Sequence, residues 1–457
     1  MIRKEAFKAY DIRGQMPEEV NEVLAYQVGR AFVSLYQPEK VVVGRDVRLS
    51  SQALASAVIK GFTDGGCDVI DIGLCGTEQV YHCTAAWGAQ GGVMVTASHN
   101  PMDYNGLKLV REGAKPISMD TGLLDIYALL EKGLFEEGME PGKKAGQITE
   151  KDSTLDYVEY LLGLIPDNRM KGLKIVANAG NGCAGPIMDV LMEKLPLEFI
   201  PMYFEPDGEF PNGIPNPLLP ERRDATAKAV VEHQADLGIA WDGDFDRCFF
   251  FDSTGRFIDS YYIVGFLSEI FLQQEAGATI IYDPRLVWYI EETVQNAGGR
   301  PLESRGGHAF MKETMRKVDA LYGGEASGHH FFRDFHNCDS GMLPWLFVVN
   351  ELCRRDCTLA EVVDQAMARY PVSGEINRRV EDAEKVIQKI EDEYAPIALK
   401  VEHLDGLSIE YSEWRFNLRM SNTEPLTRLN LETRGNQKLL EEKVEELLAK
   451  IGGLASH

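Results

Sequence analysis

The chain has 457 residues, 44% hydrophobic and 26% charged, with a formal net charge of -24. That length predicts roughly three or four domains and a core that needs no disulfide staple. The acidic balance repels phosphate backbones, which excludes nucleic acid as a main partner and leaves any anionic substrate dependent on a local basic cluster.

Taken in chain order, the predicted elements repeat one pattern three times. A β-branched run, Val41-Val42-Val43, ends at "GRD" and opens a helix-length segment. A second strand follows, "CDVIDIGL" at 67–74, then another helix-length segment and a third strand, "GGVMVTASHN", with the short return "GLKLVRE". The second copy runs from Lys174-Ile175-Val176 before "NAGNG", through "LEFIPMYFE" at 197–205, to "ADLGIAWDGDFDR" and the return "RCFFFDS". The third runs from Thr279-Ile280-Ile281-Tyr282 before "DPR", through "GRPLESRGG" at 299–307, to "ALYGGEASGHH" and "HFFRDF". Strands alternating with helical segments predict parallel βα units, hence three similar α/β domains with mixed sheets. From about Tyr370-Pro371 the pattern changes to "GEINRRV", a charged helix at 381–393, the strands "LSIEYSE", "WRFNLRM" and "TRLNLETR", and a helix at 436–451. This reads as a smaller C-terminal α+β domain. The expected boundaries are 1–150, 151–255, 256–369 and 370–457. Ligands of open α/β sheets bind beyond the carboxyl ends of the strands. The polar stretches 96–100, 242–247 and 324–330 are then equivalent loops, expected to meet at one central cleft.

The eight cysteines, at 67, 75, 83, 183, 248, 338, 353 and 357, contain no C-x-x-C pair. Scattered thiols suit a reducing, cytoplasmic setting. The N-terminal "MIRKEAFKAYDIRG" lacks a signal-peptide core, and no run reaches the ~20 apolar residues of a membrane span.

Four stretches carry candidate chemistry. "DGDFDR" sets Asp242, Asp244 and Asp246 at alternate positions after an apolar run. In an extended segment they face one way, and three hard carboxylates call for a cation such as Mg²⁺. The EF-hand alternative fails, since its required Gly is Arg247. "TASHNP" holds Ser98 beside His99. The chain has no G-x-S-x-G, and neighbouring side chains on an extended strand diverge, so locally this pair reads as a capped turn. "GEASGHH" places Glu325, Ser327 and His329 on one face by alternation, able to grip hydroxyls and move a proton. "RMSNTEP" offers Arg419, Ser421, Asn422 and Thr423, with Arg428 downstream, as an anion nest. A rival reading comes from Gly180–Gly185, which matches G-x-G-x-x-G between strand and helix with Glu205 ending the next strand. That is the fingerprint of a nicotinamide oxidoreductase. No P-loop motif occurs.

Together these stretches resemble the α-D-phosphohexomutase superfamily, most closely its phosphomannomutase group. The resemblance rests on "FKAYDIRG", "TASHNPMDYNGLKLV", "PDGEFPNGIPNPLLPE", "GIAWDGDFDRC", "GEASGHHFF" and "RMSNTEP", in family order along nearly the whole chain. It implies three α/β domains and a smaller C-terminal domain around a central cleft. It also implies interconversion of mannose 6-phosphate and mannose 1-phosphate through a 1,6-bisphosphate, feeding GDP-mannose; glucose phosphates are the alternative substrates. On that resemblance Ser98 carries the phosphoryl group. Asp242, Asp244 and Asp246, with the phosphoserine, hold Mg²⁺. Arg247 neutralises charge, and His99 flanks the serine. Lys108 and His329 are candidates for proton transfer. Tyr10, Arg13, Arg285, His308, Glu325 and Ser327 would line the sugar-phosphate site, and Arg419, Ser421, Asn422, Thr423 and Arg428 would take the unreacting phosphate. The chain departs from common family patterns at Arg285, where many members have Lys, and at "SRGGH" and "GEASGH".

Overall fold

In this computed structural model the described residues are 3–133, 138, 144–420 and 426–456. They gather into two compact units, Met1–Arg256 with Phe331–Arg354, and Phe257–His330 with Arg355–His457.

The first unit contains two mixed sheets. In one, the strands run in the order Ile12–Gln15, Tyr104–Arg111, Gly91–Val95, Lys40–Arg45, Asp68–Leu74 and Ile148–Glu150, with Lys115–Pro116 beside Tyr104–Arg111. Lys40–Arg45 pairs in parallel with both Asp68–Leu74 and Gly91–Val95, whereas Tyr104–Arg111 returns antiparallel. Val41, Val42 and Val43 are fully buried, as a parallel strand covered on both faces requires. The helix Glu22–Tyr36 begins on an Asn21 side chain that accepts from Leu24 N–H. It packs against Ser51–Asp64 through the edge-on pair Phe32–Phe62, 5.5 Å between centroids. The other sheet runs Cys248–Asp252, Leu237–Trp241, Lys174–Asn178, Glu198–Met202. In each sheet the third strand of the sequence repeat lies beside the first, with the second on the far side and the return antiparallel. The repeat is therefore structural. The segment Phe331–Arg354 comes back to this unit as a hairpin, Phe331 opposite Asp339, and the helix Met342–Arg355.

The second unit repeats the parallel core, with Thr279–Tyr282 between Arg300–Glu303 and Tyr322–Gly324. It also holds an antiparallel sheet in the order Lys400–Glu402, Leu407–Glu410, Trp414–Met420, Leu426–Thr433, Ile376–Arg379, Leu454–Ser456. Alternate side chains Phe416, Leu418, Leu429 and Leu431 form its core with Ile390, Leu447 and Ile451 from the helices Ala383–Tyr394 and Gln437–Ile451. Arg415 donates to the Pro284 carbonyl at 2.9 Å, and Glu432 accepts from Val287 N–H at 2.7 Å, fastening the loop after Tyr282 to this sheet.

Candidate active site

The buried strand Gly91–Val95 delivers Ser98 into a tight turn. Thr96 Oγ1 accepts from Ser98 N–H at 2.8 Å, and Asn100 N–H closes the turn on the Ala97 carbonyl. Ser98 sits in the left-handed region, φ 49°, which a side chain other than Gly or Asn occupies only at a cost. This backbone overturns the expectation of diverging neighbours. The strand ends at Val95 and the chain curls, so His99 Nδ1 comes 2.9 Å from Ser98 Oγ. Ser98 Oγ also donates to Asp242 Oδ2 at 2.6 Å.

The three aspartates likewise follow a strand, Leu237–Trp241, that stops before them. They are gathered by a turn, Phe245 N–H to the Asp242 carbonyl with Phe245 at φ 46°, and not by strand alternation as expected. Each offers an oxygen within 4.8 Å of the others, and all three are buried. Arg247 grips Asp242 Oδ2 through Nε at 2.9 Å and a terminal nitrogen at 2.6 Å. Lys108 bridges Asp244 at 2.7 Å and Asp246 at 2.6 Å. Thr77 donates to Asp244 at 2.6 Å, a partner the sequence reading missed.

Burial alone would raise all three carboxyls. At Asp242 the Arg247 guanidinium, His99 and the Ser98 hydroxyl together outweigh it and hold the carboxyl well below its usual range, and at Asp244 the Lys108 charge and the hydrogen bonds from Lys108 and Thr77 together bring the carboxyl below its ordinary value. At Asp246 burial is reinforced by the Asp244 charge, and the carboxyl is pushed up to about 8. Burial opposes the Lys108 charge, but Asp244 and Asp246 outweigh burial and hold it protonated well above its ordinary range. In this arrangement the Lys108 ammonium offsets the charge of Asp244 and Asp246. Asp244 Oδ1 is buried without a hydrogen-bond partner among the described residues. An all-oxygen set with an unsatisfied buried oxygen fits a hard divalent cation such as Mg²⁺.

His99 is held neutral. Burial and the adjacent Arg247 push its imidazole down to about 4. Arg247 donates to His99 Nδ1, so that nitrogen is an acceptor. Arg13 donates to Asn100 Oδ1 at 2.9 Å and pairs with Asp11, while Tyr10 is half-buried in the turn before Ile12–Gln15.

The glycines at 180–185 do not cradle a pyrophosphate. A Cβ on Gly182 would lie 2.7 Å from the Gly243 carbonyl, and one on Gly185 1.9 Å from the Phe204 carbonyl. They are small because protein backbone already fills the space, which removes the nicotinamide reading.

The second unit groups its own candidates. Asp283 holds Arg285 bidentately, Nε to Oδ1 at 2.8 Å and a terminal nitrogen to Oδ2 at 2.6 Å. Glu325, Ser327 and His329 do meet, through a turn closed by Glu325 N–H on the His329 carbonyl and not through strand alternation. Ser327 Oγ is 2.9 Å from His329 Nδ1, Glu325 Oε2 is 3.4 Å from the same nitrogen, and the His308 and His329 rings stack at 6.2 Å. Glu375, absent from the sequence reading, accepts from Arg419 at 2.7 Å and Arg428 at 2.9 Å, and lies 3.8 Å from Arg285. Burial would raise its carboxyl, but these guanidiniums hold it down at about 2. Ser421, Asn422 and Thr423 lie outside the described residues.

Four family models match in order. They are the phosphoglucomutase/phosphomannomutase alpha/beta/alpha domain I over residues 4–137, domain II over 155–255, domain III over 259–370, and the C-terminal domain over 375–450. The chain belongs to the phosphoglucomutase/phosphomannomutase family. Among its relatives in that family, a phosphomannomutase of Salmonella typhimurium is 54% identical over 98% of this chain and 99% of that one. The phosphohexose mutases of Xanthomonas campestris are 53% identical over 97% of this chain and 98% of theirs. A crystal structure of a phosphoglucomutase/phosphomannomutase family protein from Burkholderia thailandensis superposes with a TM-score of 0.87 at 30% identity, covering all of both chains. Among the described residues no helix is long and apolar enough to cross a membrane.

Proposed function

We propose that this protein is a cytoplasmic phosphomannomutase that interconverts D-mannose 6-phosphate and α-D-mannose 1-phosphate, with Ser98 as phosphoryl carrier, supplying GDP-mannose synthesis. The observation that carries the reading is the Ser98 hydroxyl, strained out of ordinary backbone and hydrogen-bonded at 2.6 Å to the first of three clustered aspartates. The names of the similar relatives support the choice of sugar.

Phosphoryl transfer needs positioning and charge neutralisation more than covalent assistance. In the forward half-reaction the sugar hydroxyl attacks the phosphorus of phospho-Ser98. The Ser98 Oγ–P bond breaks, a sugar O–P bond forms, and the hydroxyl proton passes to a base, for which His329 is the candidate; Ser98 Oγ leaves with the bonding pair and takes up a proton to become the hydroxyl that donates to Asp242. The resulting hexose 1,6-bisphosphate turns over and returns its other phosphoryl group to Ser98. Asp242, Asp244 and Asp246 would hold Mg²⁺, which when bound neutralises charge on the transferred group. Arg247 and Lys108 add positive charge, and Arg13 braces Asn100 of the loop. Glu325 and Ser327 suit ring hydroxyls, and Arg285, Arg419 and Arg428 suit the unreacting phosphate. The division at 1–150, 151–255, 256–369 and 370–457 assigns these duties to successive domains.

Intact-mass spectrometry after incubation with a hexose 1,6-bisphosphate tests the carrier. One phosphoryl group is expected on the wild type and none on Ser98→Ala; full mutase activity in Ser98→Ala would end this reading. The sugar is tested by kcat/KM for mannose 1-phosphate against glucose 1-phosphate, where a clear glucose preference would replace mannose with glucose.

A further inference from the structure

The first turn of the first sheet contains a side chain to which neither motif nor family comparison gives a role. Asp46-Val47-Arg48 follows the strand Lys40–Arg45, as Asp283-Pro284-Arg285 follows Thr279–Tyr282. Both turns are built alike, with the Arg N–H donating to the Asp Oδ1 two residues back at 3.0 Å. Their guanidiniums do different things. Arg285 folds back on its own aspartate. Arg48 leaves Asp46 at 3.5 Å and reaches into the Ser98 loop. There one terminal nitrogen donates to the carbonyls of Pro101 at 2.7 Å and Tyr104 at 3.0 Å, and the other to those of Ser98 at 2.9 Å and Asn100 at 2.5 Å. The Phe210 ring lies 5.7 Å from the guanidinium carbon, and the side chain is buried.

Four carbonyls of one loop on one cation is an unusual concentration. A planar fork of five donors can bind them together; an ammonium with three cannot. The loop so gathered is the one whose serine occupies a strained backbone region, and such strain persists only where the surroundings over-determine it.

We propose that Arg48 is a positioning residue of phosphoryl transfer, holding Ser98 in the left-handed conformation that presents its hydroxyl to Asp242. It touches no reacting atom and acts through the loop backbone. The inference rests on Ser98 being the phosphoryl carrier.

The test follows phosphoryl uptake from a hexose 1,6-bisphosphate by intact mass, with steady-state kcat and KM, in wild type, Arg48→Lys and Arg48→Ala. Arg48→Lys keeps charge and loses the fork. Misplacing a reacting atom by an ångström costs ~100-fold, so uptake and kcat should fall ~10- to 100-fold in Arg48→Lys. KM for the sugar phosphate should stay within about threefold, since binding groups are untouched. Methylguanidinium should restore part of the uptake by Arg48→Ala, which a general loss of folding would not allow; if Arg48→Ala does not fold, Arg48→Lys alone decides. Wild-type uptake and kcat in Arg48→Lys, or a loss confined to KM, overturns the inference while leaving the carrier reading intact. A wild type that takes no phosphoryl group on Ser98 overturns both.

Discussion

Ser98 and His99 were adjacent in the sequence and separate in the sequence reading. What joins them is one dihedral angle, φ 49° at Ser98, and residue identity does not announce it, because serine has no strong left-handed preference. The contact settles where the hydroxyl hydrogen goes. Arg247 has only donors, so His99 Nδ1 is already taken as an acceptor, and the short bond from Ser98 runs to Asp242. His99 is thus a neutral spacer between the Arg247 cation and the Ser98 hydroxyl. Its imidazole, depressed to about 4 by burial and Arg247, charges only below that pH. His99→Gln should therefore lower kcat by roughly tenfold through lost packing and polarity. It should leave the pH profile of kcat/KM between pH 5 and 8 in place; a limb in that window that moves with the substitution would show that His99 titrates there. The aspartates were legible from spacing alone, since three carboxylates in six residues need a counter-charge in any geometry. Thr77, Lys108 and Arg48 were harder. Each meets the site from a distant stretch of chain, and only Lys108 lay in a recognisable motif.

At the scale of elements, the threefold repeat was readable because strand and helix periodicities alternate at regular intervals, and buried parallel strands appear as continuous apolar runs. What periodicity does not carry is how strand ends pack. The Ser98 loop and the aspartate loop both begin where a strand has ended, so strand alternation points to the right neighbours for the wrong reason. The close stacking of three backbones, Ser98 on Gly243 and Gly243 on Gly182, is also invisible to pattern. A Cβ on Gly243 would lie 2.6 Å from the Ser98 carbonyl oxygen, a backbone atom already fixed by Arg48. Gly243→Ala should lower stability by ~2 kcal/mol, within the usual range for overpacking. Urea unfolding measures that loss, and phosphoryl uptake at Ser98 should fall in the same variant. Retention of both wild-type values would mean that the loops separate without penalty.

Across the whole molecule, the first unit is discontinuous, and its returning segment lands on a buried carboxylate. Glu78 accepts from the N–H groups of Gly341 at 2.9 Å and Met342 at 3.2 Å, and from the Ser340 hydroxyl. Burial dominates these hydrogen bonds and raises the Glu78 carboxyl to about 8. The folded protein therefore keeps a proton that the unfolded chain gives up above its ordinary pKa. This group's contribution to stability is full below about pH 4.5, declines as pH rises, and levels off above about 8, a loss on the order of 5 kcal/mol. Chemical unfolding from pH 5 to 8 should show that decline in the wild type and a flatter course in Glu78→Gln. An equal slope in both would assign the proton elsewhere.

The same return has a consequence for the order of synthesis. A Cβ on Gly341 would meet the carbonyls of Phe245 and Arg247, and the Trp241 indole donates to the Gly341 carbonyl at 2.9 Å. The brace under the aspartate loop is thus made long after the loop itself. A nascent chain that has reached Arg256 already carries Ser98, Lys108 and the three aspartates, but Trp241 and Phe245 still lack their cover. The first unit cannot finish folding until the residues around 341 have left the ribosome. In the interval the apolar face around Trp241 and Phe245 stays uncovered and prone to aggregation.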